Sequence, residues 1–249
     1  MIPGIDIRYV SDELERLAEE IREAAEDRPG EFAADAEQLV GAMGKLLEAL
    51  LRTHRRGALE PPPAAGPGDP GKDVTALGDH GVDLLSQLAA LARRMNQKKL
   101  AQDIEGLTLP LAVWLARCDA EIITLHPVVN AAAALANRLE QPRQLAELFG
   151  LLREVGEAVA PAVSQGPLSG DRSHPWRVFL LNRAIVATRS QRPELMIEAF
   201  DALTDQLPDA APDFFREGME QMDALDYPPE VRSVMEDWFQ RWSDRRVLH

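Results

Sequence analysis

Three histidines, His80, His126 and His174, stand 46 and 48 residues apart, each just ahead of a run that reads as a helix. Two are followed by proline (Pro127, Pro175) and the third by Gly81. The residues beyond them recur as well. The segment Ala92-Arg93-Arg94-Met95-Asn96-Gln97 aligns with Ala136-Asn137-Arg138-Leu139-Glu140-Gln141. At a shift of 51 residues, Pro142, Glu147, Phe149 and Leu152 fall on Pro193, Glu198, Phe200 and Leu203. Self-similarity at such a period is expected of helical hairpins that cannot bury their apolar faces alone and stack to do so. It also argues against a histidine cluster, because ligands of one site need not follow a repeat period.

The helical pattern is read along the chain from its apolar spacing. Leu14, Leu17, Ala18, Ile21 and Ala25 share one face of a first helix, with Ser11 or Asp12 as its expected cap, and Arg28-Pro29-Gly30 breaks it. Phe32, Ala36, Leu39, Val40, Met43, Leu47 and Leu50 then mark a second, antiparallel helix. From Gly57 to Lys72 proline and glycine dominate, a composition that predicts a linker. Three histidine-led units come next, at about 75–125, 126–165 and 174–208, with polar turns at Met95–Lys98, Glu140–Pro142 and Ser190–Pro193. Pro110 predicts a kink or break near Thr108, since its ring removes an amide and crowds the preceding turn. A last pair, about 211–225 and 228–243, ends in Trp238, Phe239 and Trp242, expected to cap the C-terminal end. No alternating β-branched run suggests a strand. The expected fold is all-α, tandem helix hairpins stacked as a right-handed superhelix or a compact helical array. The expected division is an N-terminal hairpin (1–56), a linker (57–73) and a repeat domain (74–249).

Charge narrows the partners. The formal net charge is −14, with 14 acids against 8 bases in residues 1–60 and 14 against 6 in residues 190–249. Two acidic ends argue against nucleic acid, whose phosphates are held by basic surfaces. Solubility, or a basic protein partner, fits better. The N-terminal residues lack the basic head and apolar core of a secretion signal, and no apolar run approaches the ~20 residues needed to span a membrane. The expected location is the cytoplasm, with no membrane association. The single cysteine, Cys118, precludes an internal disulfide and reads as a small apolar residue.

The layout resembles the tetratricopeptide-like class of helix-hairpin repeats. The third unit supplies Ala184, Phe200 and Pro208 at suitable separations, but has Leu180 where that family has tryptophan and Met196 where it has a small residue. The second unit keeps Ala133 and Phe149 but has Glu157 in place of the closing proline. The spacing of 46–51 residues exceeds the usual ~34 and approaches that of HEAT-type repeats. The resemblance is one of architecture. The stretch His174-Pro175-Trp176 to Tyr227-Pro228-Pro229 is similar to uncharacterised bacterial proteins, a likeness that implies no activity.

Motifs for chemistry are missing from the sequence. There is no paired Glu-x-x-His for a di-iron centre, no His-Glu-x-x-His zinc pattern, no phosphate-binding loop and no nucleophile elbow. No cofactor or metal is expected. The favoured expectation is an interaction scaffold or adaptor for a protein or peptide. In stacked hairpins the first helices line the inner face, which nominates Arg93, Arg94, Asn130, Asn137, Arg138, Asn182, Arg183 and Arg189. Arginine offers a planar fork to carboxylates, and asparagine can pair with an extended backbone. Two alternatives are a small-molecule binder or enzyme with a pocket between those helices, and a homodimer formed through the N-terminal hairpin.

Overall fold

The structure, a computed structural model, describes residues 2–26, 32–57, 70–166, 168 and 171–243. Among these residues the chain is all-α, and the sole extended pairing is an isolated parallel bridge between Ile122 and Val159. The helices are α1 (Ile7–Glu26), α2 (Ala33–Gly57), α3 (Pro70–Arg94), α4 (Lys98–Gly106), α5 (Thr108–Arg117) and α6 (Leu125–Arg138). They continue with α7 (Pro142–Ala158), the short α8 (Pro161–Ser164), α9 (Pro175–Arg189), α10 (Pro193–Gln206), α11 (Ala211–Ala224) and α12 (Pro229–Ser243).

Local chemistry sets where these helices start and stop. α1 begins earlier than its apolar spacing suggested. Asp6, not Ser11 or Asp12, is its cap, accepting the Tyr9 amide at 2.8 Å, and Ser11 is buried inside the helix. The expected break at Arg28-Pro29-Gly30 lies outside the described residues. α3 starts at Pro70, within the stretch read as linker, because proline costs a first helical turn nothing. His80 therefore sits in the middle of α3 rather than ahead of it. The break near Thr108 is present at Leu107, between α4 and α5, where Pro110 leaves the ladder without an amide. α3 closes on Asn96, whose φ is +58°, with the Gln97 amide reaching back to the Ala92 carbonyl at 2.8 Å. Asp119 ends α5 in the same way, with φ +55° and the Ala120 amide on Leu115 at 3.1 Å.

The chain divides into two compact units. Among the described residues, the first comprises those within 3–135 and 153–163, the second Ile2 and those within 136–152 and 164–243. In the first, the apolar stripe of α1 (Ile7, Val10, Leu14, Leu17, Ile21) is fully used in a core shared with α2, α3 and α4. The N-terminal hairpin thus shares one core with the helices after it. α3 approaches its neighbours closely through two small residues. A methyl group on Gly78 would lie 2.4 Å from a Leu115 methyl, and one on Gly81 would lie 2.9 Å from Leu46. Thr75 and Asp79 of the same helix accept the amides of Glu121 and Thr124, fixing the loop after α5. Arg117 adds a two-point contact to Glu154, at 2.6 and 2.9 Å.

In the second unit α9 is covered on most sides, with Trp176, Phe179, Leu180, Ala184, Val186 and Ala187 buried alongside Arg177 and Thr188. Phe200 of α10 is the hub of an aromatic group, its ring meeting Phe214, Phe215 and Trp238 edge-on at 5.7, 5.1 and 5.9 Å. Trp238 is buried in this group, while Phe239 and Trp242 are half-buried. Arg177, itself buried, donates twice to Asp209 beyond the end of α10, and the Trp176 indole donates to Gln206.

Candidate binding surfaces

The eight residues nominated from the sequence are divided between the two units. Arg93, Arg94 and Asn130 belong to the first unit; Asn137, Arg138, Asn182, Arg183 and Arg189 belong to the second. Four of the five arginines are engaged in contacts that hold helices together. Arg93 pairs with Glu105 of α4. Arg94 pairs with Asp35 at 3.2 Å and lies over the Phe32 ring, joining α3 to the start of α2. Arg183, whose side chain is only 13% exposed, pairs with Glu198 of α10 and lies over Phe149 of α7. Arg189 donates to the carbonyl oxygens of Ala136 and Leu139 at 2.9 and 2.8 Å, capping the end of α6. Arg183 needs such partners because it is largely out of solvent, whereas the Arg93 and Arg94 side chains are more than half exposed. Asn130 contacts His126 one turn earlier, at 3.4 Å. Asn137 and Arg138 are exposed at the end of α6, and Asn182 is half-buried on α9.

The recurring histidines do three different things. His174 is the cap of α9, its Nδ1 accepting the Trp176 amide at 3.3 Å. His126 lies in the first turn of α6 against Asn130, and His80 is exposed in mid-helix. Among the described residues no group of three or more His, Cys, Asp or Glu side chains is placed to hold a metal ion. Burial, reinforced by the neighbouring Asp119 carboxylate, pushes the Cys118 thiol up to about 11. Little of it is thiolate at neutral pH, so it is a poor nucleophile. No helix among the described residues is long and apolar enough to cross a membrane.

Two features escaped the sequence reading. The first is a pair of exposed isoleucines, Ile185 on α9 (45% exposed) and Ile197 on α10 (41%). Each lies six residues from Gln191, which turns the chain between the two helices with a φ of +56°. At ~1.5 Å rise per residue this sets them at matched heights on the hairpin. The available signal was the run Ala184-Ile185-Val186-Ala187, since four successive apolar residues span more of a helix than one buried stripe.

The second is a crevice of about 410 Å³ between α1 and α2. Leu17, Ile21, Val40, Met43, Leu88 and Ile104 lie along it but belong to the closed core, none more than 6% exposed, so its accessible part runs past Gly41 and Gly44. Both glycines are exposed, lie inside α2, and have nothing within 4 Å of where a side chain would begin. Glu15, Glu19 and Arg22 of α1 form the opposite lip.

Comparison of the chain with protein-family models, with curated proteins and with solved structures returned no match.

Proposed function

We propose that this chain is a helical-hairpin scaffold that binds a protein or peptide partner through the outer surface of the α9–α10 hairpin. The observation that carries this reading is the pair Ile185 and Ile197, two large β-branched side chains left uncovered at matched heights of one hairpin. Their backbone is held firmly on three sides: His174 caps α9, Arg183 ties α9 to α10 and α7, and Arg189 clamps the end of α6. Rigid support lowers the ordering cost of association. Apolar anchors with polar neighbours are the usual centre of a contact surface, and half-buried Asn182 supplies an amide that can pair with a backbone. The protein acts by binding, in the cytoplasm, without a cofactor.

The nominated arginines recede in this reading. Arg183 and Arg189 position the hairpin; they do not meet the partner. A dimer formed through the N-terminal hairpin gains no support, because the apolar stripe of α1 is spent within its own unit and the exposed face is rich in carboxylates. The mass of the full chain at ~50 μM, above a typical micromolar dissociation constant, tests that alternative.

The reading is tested by pull-down from the native lysate with wild-type protein and an Ile185→Asp/Ile197→Asp double variant side by side. The expected result is a species enriched by the wild type and lost with the variant, with helicity and melting temperature of both proteins measured alongside so that lost binding is distinguished from lost folding. Equal recovery by the two proteins would remove α9–α10 from the reading.

A further inference from the structure

The accessible side chains of the α9–α10 hairpin differ in kind from one helix to the other. On α9 the exposed Ile185 continues a row with half-buried Leu181 and Val178, at steps of four and three residues and so on one face. On α10 the exposed Ile197 is followed at four-residue steps by Asp201 and Asp205, both exposed. Gln191 turns the chain between the two helices, so positions equally far from it stand at matched heights. Leu181 and Asp201 are each ten residues from Gln191, and Val178 and Asp205 are thirteen and fourteen. An apolar row on α9 therefore runs level with an acidic row on α10.

Elsewhere in the hairpin the charges are compensated. Arg177 is paired with Asp209 at 2.9 Å, Arg183 with Glu198, and Arg192 with Glu194 at 2.6 Å, while Arg189 is held by the Ala136 and Leu139 carbonyls. α10 contains no lysine or arginine of its own. The Asp201 and Asp205 carboxylates have no cationic partner among the described residues. Their placement is unfavourable within the chain. They repel one another at i and i+4, and Asp205 stands in the last turn of α10, where the carbonyl end of the helix is already negative. A cation brought by a partner relieves both effects.

We infer that the segment taken by the α9–α10 surface is a basic amphipathic helix of the partner, its apolar side chains against Ile185, Leu181 and Ile197 and its lysines or arginines at Asp201 and Asp205. The inference rests on the scaffold reading and adds the chemistry of the partner. Asp201 and Asp205 stand about 6 and 12 Å along α10 from Ile197, so cations one and two turns from an apolar anchor of the incoming helix reach them. An acidic segment of the same shape is repelled by that row.

Full-length protein is titrated with a fluorescent helix-forming peptide of leucine and lysine, and with counterparts in which glutamate replaces lysine or serine replaces leucine. The expected result is saturable binding of one leucine–lysine peptide per chain, about tenfold tighter than either counterpart. Asp201→Asn/Asp205→Asn is expected to weaken it about fivefold, and Ile185→Gln/Ile197→Gln about tenfold. Asp12→Asn/Glu23→Gln removes the same charge from exposed positions of α1 and should leave the affinity unchanged. The helicity of every variant is recorded alongside, so that lost binding is told apart from lost folding. Weakening by the isoleucine variant alone would keep the surface and overturn its preference for a basic partner. Equal weakening by the α1 and α10 charge variants would trace the attraction to the net charge of −14 and overturn the inference. Wild-type affinity in both the isoleucine and the aspartate variants would place the peptide elsewhere and overturn it too, while the scaffold reading is decided by the pull-down.

Discussion

Arg183 lies over the ring of Phe149, 4.8 Å from its centroid, while its guanidinium donates to Glu198. One side chain thus joins α9 to α7 and α10, almost wholly out of solvent. Replacing it by methionine keeps the aliphatic stem and removes both polar contacts. The expected cost is about 2 kcal/mol, the sum of a desolvated cation–π contact and a charged hydrogen bond less what water returns to Glu198. Lysine should restore less than half, because it lacks the planar fork. Urea denaturation measures both; a loss below about 0.5 kcal/mol for Arg183→Met would mean the side chain is an ordinary solvated surface residue.

The same substitution should act with opposite sign on two mid-helix glycines. Gly44→Ala meets open space, so it is expected to stabilise the protein by about 0.5–1 kcal/mol through helix propensity. Gly78→Ala would put its methyl 2.4 Å from a methyl of the buried Leu115, an overpacking that costs about 1–3 kcal/mol and outweighs the same propensity gain. Melting curves of the two single variants check the pair. A stabilising Gly78→Ala would show that α3 and α5 are not in such close contact.

Of the three recurring histidines, only His174 should matter to stability. His174→Ala deletes the acceptor of the Trp176 amide and is expected to cost about 1 kcal/mol, which His174→Ser should largely recover. His80→Ala, at an exposed mid-helix position, should leave the denaturation midpoint unchanged. Equal effects at His80 and His174 would contradict the capping role.

The Arg117 guanidinium, donating to Glu154, holds that carboxyl below its ordinary value, and its charge adds to the same effect. A depressed folded value means the contact contributes its full stability above the unfolded carboxyl's pKa, about 4.3. That contribution is lost as pH falls through the lower folded value. The stability gap between wild type and Arg117→Gln should therefore be constant near neutrality and begin to close once the pH falls to the unfolded carboxyl's value, about 4.3. A gap that does not change with pH would mean the two charges do not interact in solution.

Most of the helical pattern is legible in the amino-acid sequence. Apolar spacing locates the helices, Pro142, Pro193 and Pro229 mark their starts, and Pro110 places the break between α4 and α5. Phe149 and Glu198, which are not counterparts in the 51-residue correspondence, meet around Arg183. Helix starts away from proline are harder. Asp6 and Ser11 are equally good caps as residue types, and only the buried Ile7 and Val10 decide between them. His80 looks like its counterparts because a proline-rich approach reads as linker until Pro70 is seen to open α3. The candidate surface is the least legible part. An arginine facing solvent and one lying over a ring carry the same letter, so the contacts of Arg183 with Phe149 and of Arg189 with the end of α6 are not readable from the sequence. The uncovered isoleucines and the crevice arise from tertiary packing, which spacing along one chain does not encode.

If the α9–α10 surface touches a partner, a photo-crosslinking residue at Ile185 or Ile197 should capture it in the native cell, with His80 on α3 and Gln240 on α12 as exposed controls. The expected result is one discrete adduct from positions 185 and 197 and none from the controls. Adducts from the control positions, with nothing captured at 185 or 197, would contradict the scaffold reading.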